Sequence, residues 1–309
     1  MLQLLDFAGI YFRAFHAVPG STVGPHGRPT NAVRGALDIT ARVVADTRPS
    51  RLVACLDLDW RPAWRVELLP SYKAHRVERL GAGDAPDVEQ MPDELTPQIP
   101  VLLDVIAAIG IASAGAEQCE ADDVIATLAS NERVDPVEVV TGDRDLMQLA
   151  DDTPPGVRIR YIGAGMSKQV VLDAAGVHRK YGVPATGYAD YATLRGDPSD
   201  GLPGVPGVGD KTAAALIGSY GNIDAMLTAA GDPASAMASG PRRKLLAAAD
   251  YLAAAPAVVA VRRDAEVLLS GPDAVPGKVF DRPRLDALVA EHGLAGPVER
   301  LLRALGITG

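Results

Sequence analysis

Cysteine is nearly missing from this sequence. Its 309 residues include two, Cys55 and Cys119, and neither has a second Cys or a His at zinc-ligand spacing. A disulfide framework and a zinc ribbon are therefore excluded, and two buried free thiols in a reducing compartment are expected. Aromatic side chains make up only 5% of the chain, too few for a binding mode built mainly on stacked bases. No run of about 18 apolar residues occurs, so no membrane-spanning helix and no membrane partner are expected. The amino terminus, MLQLLDFAGIYF, has no basic residues before its apolar stretch and no small-residue cleavage site; it reads as a first strand rather than a secretion signal. Cytoplasm is the expected location. An excess of positive charge is missing too. The formal net charge is −9, where phosphate binding usually leaves a basic footprint.

What is present is aliphatic. Hydrophobic residues reach 48%, enough for a sizeable core. At roughly 100–200 residues per domain the length suits one large domain or two fused lobes, divided here as residues 1–165 and 166–309. In the first half, short apolar runs end at acids: Leu2–Leu5 before Asp6, RLVACL before Asp57, and VEVV before the TGD of Asp143. Helical patterns lie between them. In Thr96–Gly110, Thr96 suits a cap, Pro97 the first turn and Gly110 the end, with Ile99, Leu102, Leu103, Ile106 and Ile109 on one face. Glu120–Ala129 is a second helix, with Val124, Ile125 and Leu128 inward. This alternation predicts an α/β fold with a mainly parallel central sheet flanked by helices. Sites in such sheets form beyond the carboxyl ends of the strands, where Asp6, Asp57 and Asp143 fall. Residues 77–95 are rich in Gly, Pro and acids and read as an exposed, mobile segment. From about residue 165 the pattern is mainly helical.

Nine acids stand out: Asp6, Asp57, Glu120, Asp122, Asp123, Asp143, Asp145, Asp197 and Asp200. Taken singly, each has an ordinary role as a turn residue or helix cap. Setting the nine aside leaves the rest of the chain near neutrality. Together, carboxylates on one rim repel and raise one another's pKa, and a hard divalent cation with oxygen ligands removes that cost. Two such ions about 4 Å apart can clamp an in-line phosphoryl displacement. With no Cys or His placed to help, Mg²⁺ or Mn²⁺ is expected rather than Zn²⁺. Asp59 competes with Asp57 for the same place. The Asp57-x-Asp59 pair also suits a small-molecule phosphohydrolase, although Arg61 stands where that chemistry expects Thr. A DNA-junction binding module with structural metals is a third, non-enzymatic reading.

Long segments carry a resemblance: LLDFAGIYFRAFHAVP, ELLPSYKAHR, MPDELTPQI, EADDVIATLA, VVTGDRDLMQL, KYGVPATGYADY and LRGDPSDGLPGVPGVGDKTAAALI. Up to about residue 265 the chain resembles the bacterial and phage 5′ nuclease, or flap endonuclease, family, which includes the 5′-nuclease domain of bacterial DNA polymerase I. The resemblance implies a structure-specific 5′ flap endonuclease and 5′-3′ exonuclease, acting as a stand-alone monomer in primer removal and repair. Its partner would be DNA: 5′ flaps and nicked or gapped duplexes, some of them RNA-primed. It implies a first metal site of Asp6, Asp57, Glu120 and Asp122, and a second of Asp143, Asp145, Asp197 and Asp200 with Asp123 close by, for two or three ions. Lys73 and Arg76 would look over the metals from a helical arch at about residues 72–96 and bind the scissile phosphate. Tyr72 would stack on a base of the displaced strand. The arch top, with Asp84, Asp87 and Glu89, is longer and more acidic than the family pattern. Leu202–Thr212 would be the turn of a helix–three-turn–helix lobe holding the duplex through Gly204, Gly207, Gly209 and Lys211, with a K⁺ ion and without a base-edge code.

Overall fold

The apolar runs form strands because alternate side chains find alternate faces to bury. The computed structural model describes residues 1–81 and 85–307. Its strands are β1 (Leu2–Asp6), β2 (Arg51–Cys55), β3 (Val77–Arg79), β4 (Val88–Glu89), β5 (Ala112–Gly115), β6 (Val137–Thr141), β7 (Val157–Tyr161), β8 (Val170–Leu172) and β9 (Leu268–Leu269). Seven make one sheet in the order β8-β7-β6-β1-β2-β5-β9. From β7 to β5 the pairing is parallel, and the two edge strands are antiparallel. The fold is thus α/β with a mainly parallel central sheet. On one face Leu4, Val53, Cys55 and Val139 join one core; on the other Leu5, Leu52, Ala54 and Val140 join a second. Both cysteines are free and buried. Among the described residues no helix is long and apolar enough to cross a membrane.

The three strands predicted from apolar runs are the central ones, β6-β1-β2. The others were less legible. β5 is a run of small residues (ASAG), and β7 alternates arginines with apolar residues. Arg160 of β7 is accommodated inside the protein by Glu138 of β6, at 2.8 Å from its Nε. The helix foreseen from Thr96 runs Gln98–Ile109 and ends at Gly110, whose φ of 98° glycine tolerates. Thr96 does not cap it. Gln98 is buried instead, and its Oε1 accepts from Ala32 N at 2.8 Å, at the start of the helix Asn31–Thr47. The C-terminal helices cover the core: Ala295–Ala304 packs on Asn31–Thr47, and Arg282–His292 on Gln98–Ile109.

Where a helical arch was expected, the chain turns differently. Lys73 takes a left-handed φ of 47°, Ala74–Arg76 is a single 3₁₀ turn, and β3 pairs antiparallel with β4. Pro86 and Gly81 suit a turn better than a helix. Two acids of this segment hold it in place. Asp87 pairs with buried Arg61 and accepts from Gly81 N, while Glu89 accepts from Arg76 Nε at 2.9 Å. Asp84 lies outside the described residues. The hairpin itself is largely exposed, as expected.

At the far rim of the sheet, Glu132 ends the helix Ala121–Asn131. Its Oε1 accepts from the amides of Arg133, Val134 and Asp135 at 2.9, 2.7 and 3.0 Å, and its Oε2 pairs with Arg51. Burial alone would raise its pKa, but the Asp135 and Val134 amides and the guanidinium outweigh it and hold it down, from 4.5 to about 2. A depressed carboxyl pKa stabilises the fold above the unfolded value and stops doing so as pH falls through the folded one. Glu132→Gln should therefore cost about 1–2 kcal/mol at neutral pH. Urea unfolding of the two proteins should show that gap constant down to about pH 4.5 and shrinking towards pH 2. A gap independent of pH would contradict the assigned role.

Candidate active site

The strand ends carry the first acids. Asp6 closes β1 and caps the helix Phe7–Ala17, its Oδ1 accepting from Gly9 N at 2.8 Å. Glycine is needed there, since a Cβ at position 9 would lie 2.3 Å from Asp6 Oδ2. The other oxygen accepts from Thr141 Oγ1, at the end of β6, at 2.8 Å. Thr141 Oγ1 in turn accepts from Asp143 N, and Asp143 Oδ1 from Asp145 N, both at 2.8 Å. One hydrogen-bonded chain thus sets Asp6, Asp143 and Asp145 relative to one another. Thr141 was missed from sequence, though its place between an apolar run and GD is the signal that could have found it. Tyr11 was missed as well. It is half-buried on the first helix, and burial, with Asp57, Glu89 and Asp6 nearby, raises its pKa.

Asp57 follows β2, and its Oδ1 accepts from Ala121 N at 2.6 Å, capping the helix Ala121–Asn131. Asp59 turns away to accept from Arg61 N at 3.1 Å. This geometry supports Asp57 over Asp59 as the basin residue. The carboxylate of Asp57 stays accessible on a wall surrounded by protein; that surrounding, and then the charge of Glu120, push its pKa up.

Glu120 and Asp123, which flank Asp122 in EADD, are both held by protein cations. Arg65 is 3% exposed and binds Asp123 through both guanidinium nitrogens, at 2.8 and 2.7 Å. Asp123 is fully buried and also accepts from Arg262 N at 2.8 Å. All its oxygens face protein donors, so the structure separates it from the basin. Glu120 accepts from Arg65 at 2.8 Å and from the Tyr72 hydroxyl at 2.6 Å, and pairs with Lys73. Burial opposes the charge of Glu120, but Lys73 and Arg65 outweigh it and lower its pKa. Tyr72, expected to face a displaced strand, is 4% exposed and held by this bond. Its place under the basin comes from the turn at Lys73, whose N donates to Asp200 O at 2.9 Å. Arg76 stands 3.9 Å from Asp200 while bound to Glu89.

Glu120, Asp122, Asp145 and Asp200 line one cavity of about 20 Å³, room for one water- or ion-sized occupant. Burial first, then Asp143, Asp6 and Glu120, drives Asp122 well above the carboxylate range. Burial and the Asp143, Asp200 and Asp197 charges do the same to Asp145, while Asp143 is raised by burial and by Asp6. Asp200 is pushed up to about 6 by burial, with Lys73 opposing and Asp143 and Glu120 adding. Asp145 Oδ1 is buried and, among the described residues, has no hydrogen-bond partner. Asp197 accepts from Ser199 N at 2.9 Å and lies 3.4 Å from Arg144 and 3.7 Å from Arg195. Among the described residues, no three acidic, His or Cys side chains already close on one point as in an assembled coordination sphere. The donor set still fits a divalent cation. It is all oxygen, mutually repelling, and includes an unpartnered carboxylate atom beside an ion-sized space.

Residues 1–182 match the family described as 5′-3′ exonuclease, N-terminal resolvase-like domain, and residues 183–279 match its C-terminal SAM fold. The chain belongs to the 5′-3′ exonuclease family. It is 52% identical to a 5′-3′ exonuclease of Mycobacterium tuberculosis (strain ATCC 25618 / H37Rv) over 98% of this chain and 97% of that one. A 5′-3′ exonuclease of Streptomyces coelicolor is 51% identical over 98% and 99%. DNA polymerase I of Mycobacterium bovis is 39% identical over 75% of this chain and 25% of its own length. Among solved structures, T5 5′-exonuclease with bound zinc superposes with a TM-score of 0.63 at 17% identity, covering 98% and 99% of the two chains. The catalytic core of Rad2 in complex with DNA substrate gives 0.61 at 17%, over 98% and 92%. At such identity these two likenesses concern the fold. Family membership decides among the readings left open by the sequence. The chain is a nuclease, not a small-molecule phosphohydrolase or a non-enzymatic junction module.

The last sequence-predicted residues lie in and just after one glycine-rich turn. The helices Tyr188–Arg195 and Asp210–Tyr220 flank the glycine-rich turn. A Cβ on Gly204 would stand 2.6 Å from the Arg195 carbonyl, so that approach requires glycine. Gly207 O accepts from Lys244 Nζ at 2.7 Å, and Gly209 precedes the second helix with open space around it. Lys211 is exposed in the first turn.

Proposed function

We propose that this chain is a divalent-metal-dependent, structure-specific 5′ nuclease that cuts DNA where a 5′ single strand leaves a duplex. The observation that carries the reading is the acidic cavity: Glu120, Asp122, Asp145 and Asp200 line it, and the strand-end acids Asp6, Asp57 and Asp143 stand near enough for their charges to act within that group. The residues that would hold the ions, Mg²⁺ or Mn²⁺, are Asp6, Asp57, Glu120 and Asp122 for one and Asp143, Asp145 and Asp200, with Asp197 behind them, for the other. When bound, such ions activate water and neutralise the leaving oxygen. Lys73 and Arg76 supply positive charge at the basin wall for the scissile phosphate. Tyr72, by donating to Glu120, holds that carboxylate and Lys73 in place.

Duplex DNA would be held by the amides at the start of Asp210–Tyr220, by Lys211, and by the turn of Gly204, Gly207 and Gly209, with K⁺ as an added ligand. These groups meet phosphates rather than base edges, which accords with sequence-independent recognition. Nicked, gapped and RNA-primed duplexes share that geometry. A monomer in the cytoplasm, with a nuclease core over 1–165 and a helical DNA-binding lobe over 166–309, completes the reading. Incubating an end-labelled 5′-flap oligonucleotide with the protein and Mn²⁺ tests it. Cutting within a few nucleotides of the junction, leaving a 5′ phosphate, is expected. Equal cutting along free single strands would refute junction specificity.

A further inference from the structure

The helix assigned above to the duplex begins with an acid. Asp210 is 69% exposed at its side chain and sits beside Lys211. A carboxylate at this place opposes a phosphate approaching the first-turn amides. Two groups answer it. The Tyr191 hydroxyl donates to Asp210 Oδ1 at 2.8 Å, and Arg195 Nε lies 3.8 Å from the same oxygen. The other end of the same guanidinium faces the basin, with Nη2 3.7 Å from Asp197 Oδ2. Arg195 is only 15% exposed at its side chain, and its Nε and Nη2 make no hydrogen bond among the described residues. Its pull on both acids is thus ionic, from a position set by the backbone, where Gly204 packs so closely on the Arg195 carbonyl that a Cβ there would stand 2.6 Å away, and by the Tyr191 ring at 5.8 Å.

We propose that Arg195 is a positioning residue that neutralises Asp210, so that a DNA phosphate can approach the start of this helix, while its other edge steadies Asp197 at the basin. The proposal rests on the duplex-binding reading of that helix. It links grip and cutting through one buried cation, which Arg144 does not, since Arg144 meets Asp197 alone of the two.

Binding of a 5′-flap duplex, measured with Ca²⁺ replacing Mn²⁺, tests it. Arg195→Met should raise Kd about tenfold. Adding Asp210→Asn to that variant should bring Kd back to within about twofold of the parent, because the uncompensated charge is gone. A merely structural role would not be rescued by removing a second charge. Arg195→Lys should keep part of the affinity. Thermal melts confirm folding, and Arg195→Gln serves if the methionine variant unfolds. An unchanged Kd in Arg195→Met, or a double variant as weak as the single, overturns the proposal. Lys211→Ala separates the two levels. If it too binds normally, the duplex-binding reading of this helix is wrong; if it weakens binding while Arg195→Met does not, only the role of Arg195 fails.

Discussion

Asp143→Asn is expected to abolish cleavage of a 5′ flap while leaving the fold and DNA binding intact. The asparagine can still accept from Asp145 N through Oδ1, so the hydrogen-bonded chain from Asp6 through Thr141 to Asp145 survives. What disappears is one negative charge at the centre of the basin, where Asp143 raises the pKa of Asp122, Asp145 and Asp200. Loss of that charge relieves repulsion, so the melting temperature should hold or rise. Under the proposed metal assignment, cation binding would lose a charged oxygen ligand, and the rate should fall on the order of 10³-fold or more. Single-turnover cleavage with Mn²⁺, alongside binding with Ca²⁺, checks both halves. A variant that cuts at the parent rate would remove Asp143 from the mechanism.

Arg65→Met should produce the largest loss of stability. Its guanidinium serves Asp123 twice, Glu120 once and the Val258 carbonyl at 3.1 Å, all in the interior. Removing one partner of a buried ion pair leaves an uncompensated charge and costs about 3–5 kcal/mol. Replacing Asp123 by Leu in the same protein should recover much of that, because the stranded carboxylate is then gone. Denaturant unfolding of the single and double variants gives the comparison. The outcome also reports on Asp123. As a structural anchor it should lose stability on substitution by Asn yet cut normally per folded molecule, whereas a metal ligand should show the reverse. A stable Arg65→Met protein would contradict the anchor assignment.

The role of Arg65 turns on a contrast between neighbours in EADD. From sequence, Glu120, Asp122 and Asp123 look alike, since all three suit the start of a helix. Helix geometry gives them different directions, and only packing says what lies along each: Lys73 and Tyr72 for Glu120, other carboxylates for Asp122, and Arg65 for Asp123. In the sequence Arg65 stands out as the partner of Trp64 in an aromatic–Arg pair, which says nothing of the carboxylates it meets. The same holds for Tyr72. An aromatic beside Lys73 invites a stacking role, and only the left-handed turn at Lys73 and the carbonyl of Asp200 reveal that the ring points inward.

By itself, the sequence determined the class of fold, the three central strands, and most of the acids that meet beyond them. These are local and periodic properties: a strand buried on both faces must be continuously apolar, and its end must turn, which short polar residues permit. It also carried the glycine-rich turn, because positive φ and close backbone approach leave glycine little competition. Only the tertiary structure decided which acids face the basin and which serve as anchors, that residues 77–79 and 88–89 pair as a ribbon, and that Arg195 stands between Asp197 and Asp210. The reason is that charge interactions depend on distance and burial across the chain, and neither is encoded by spacing along it.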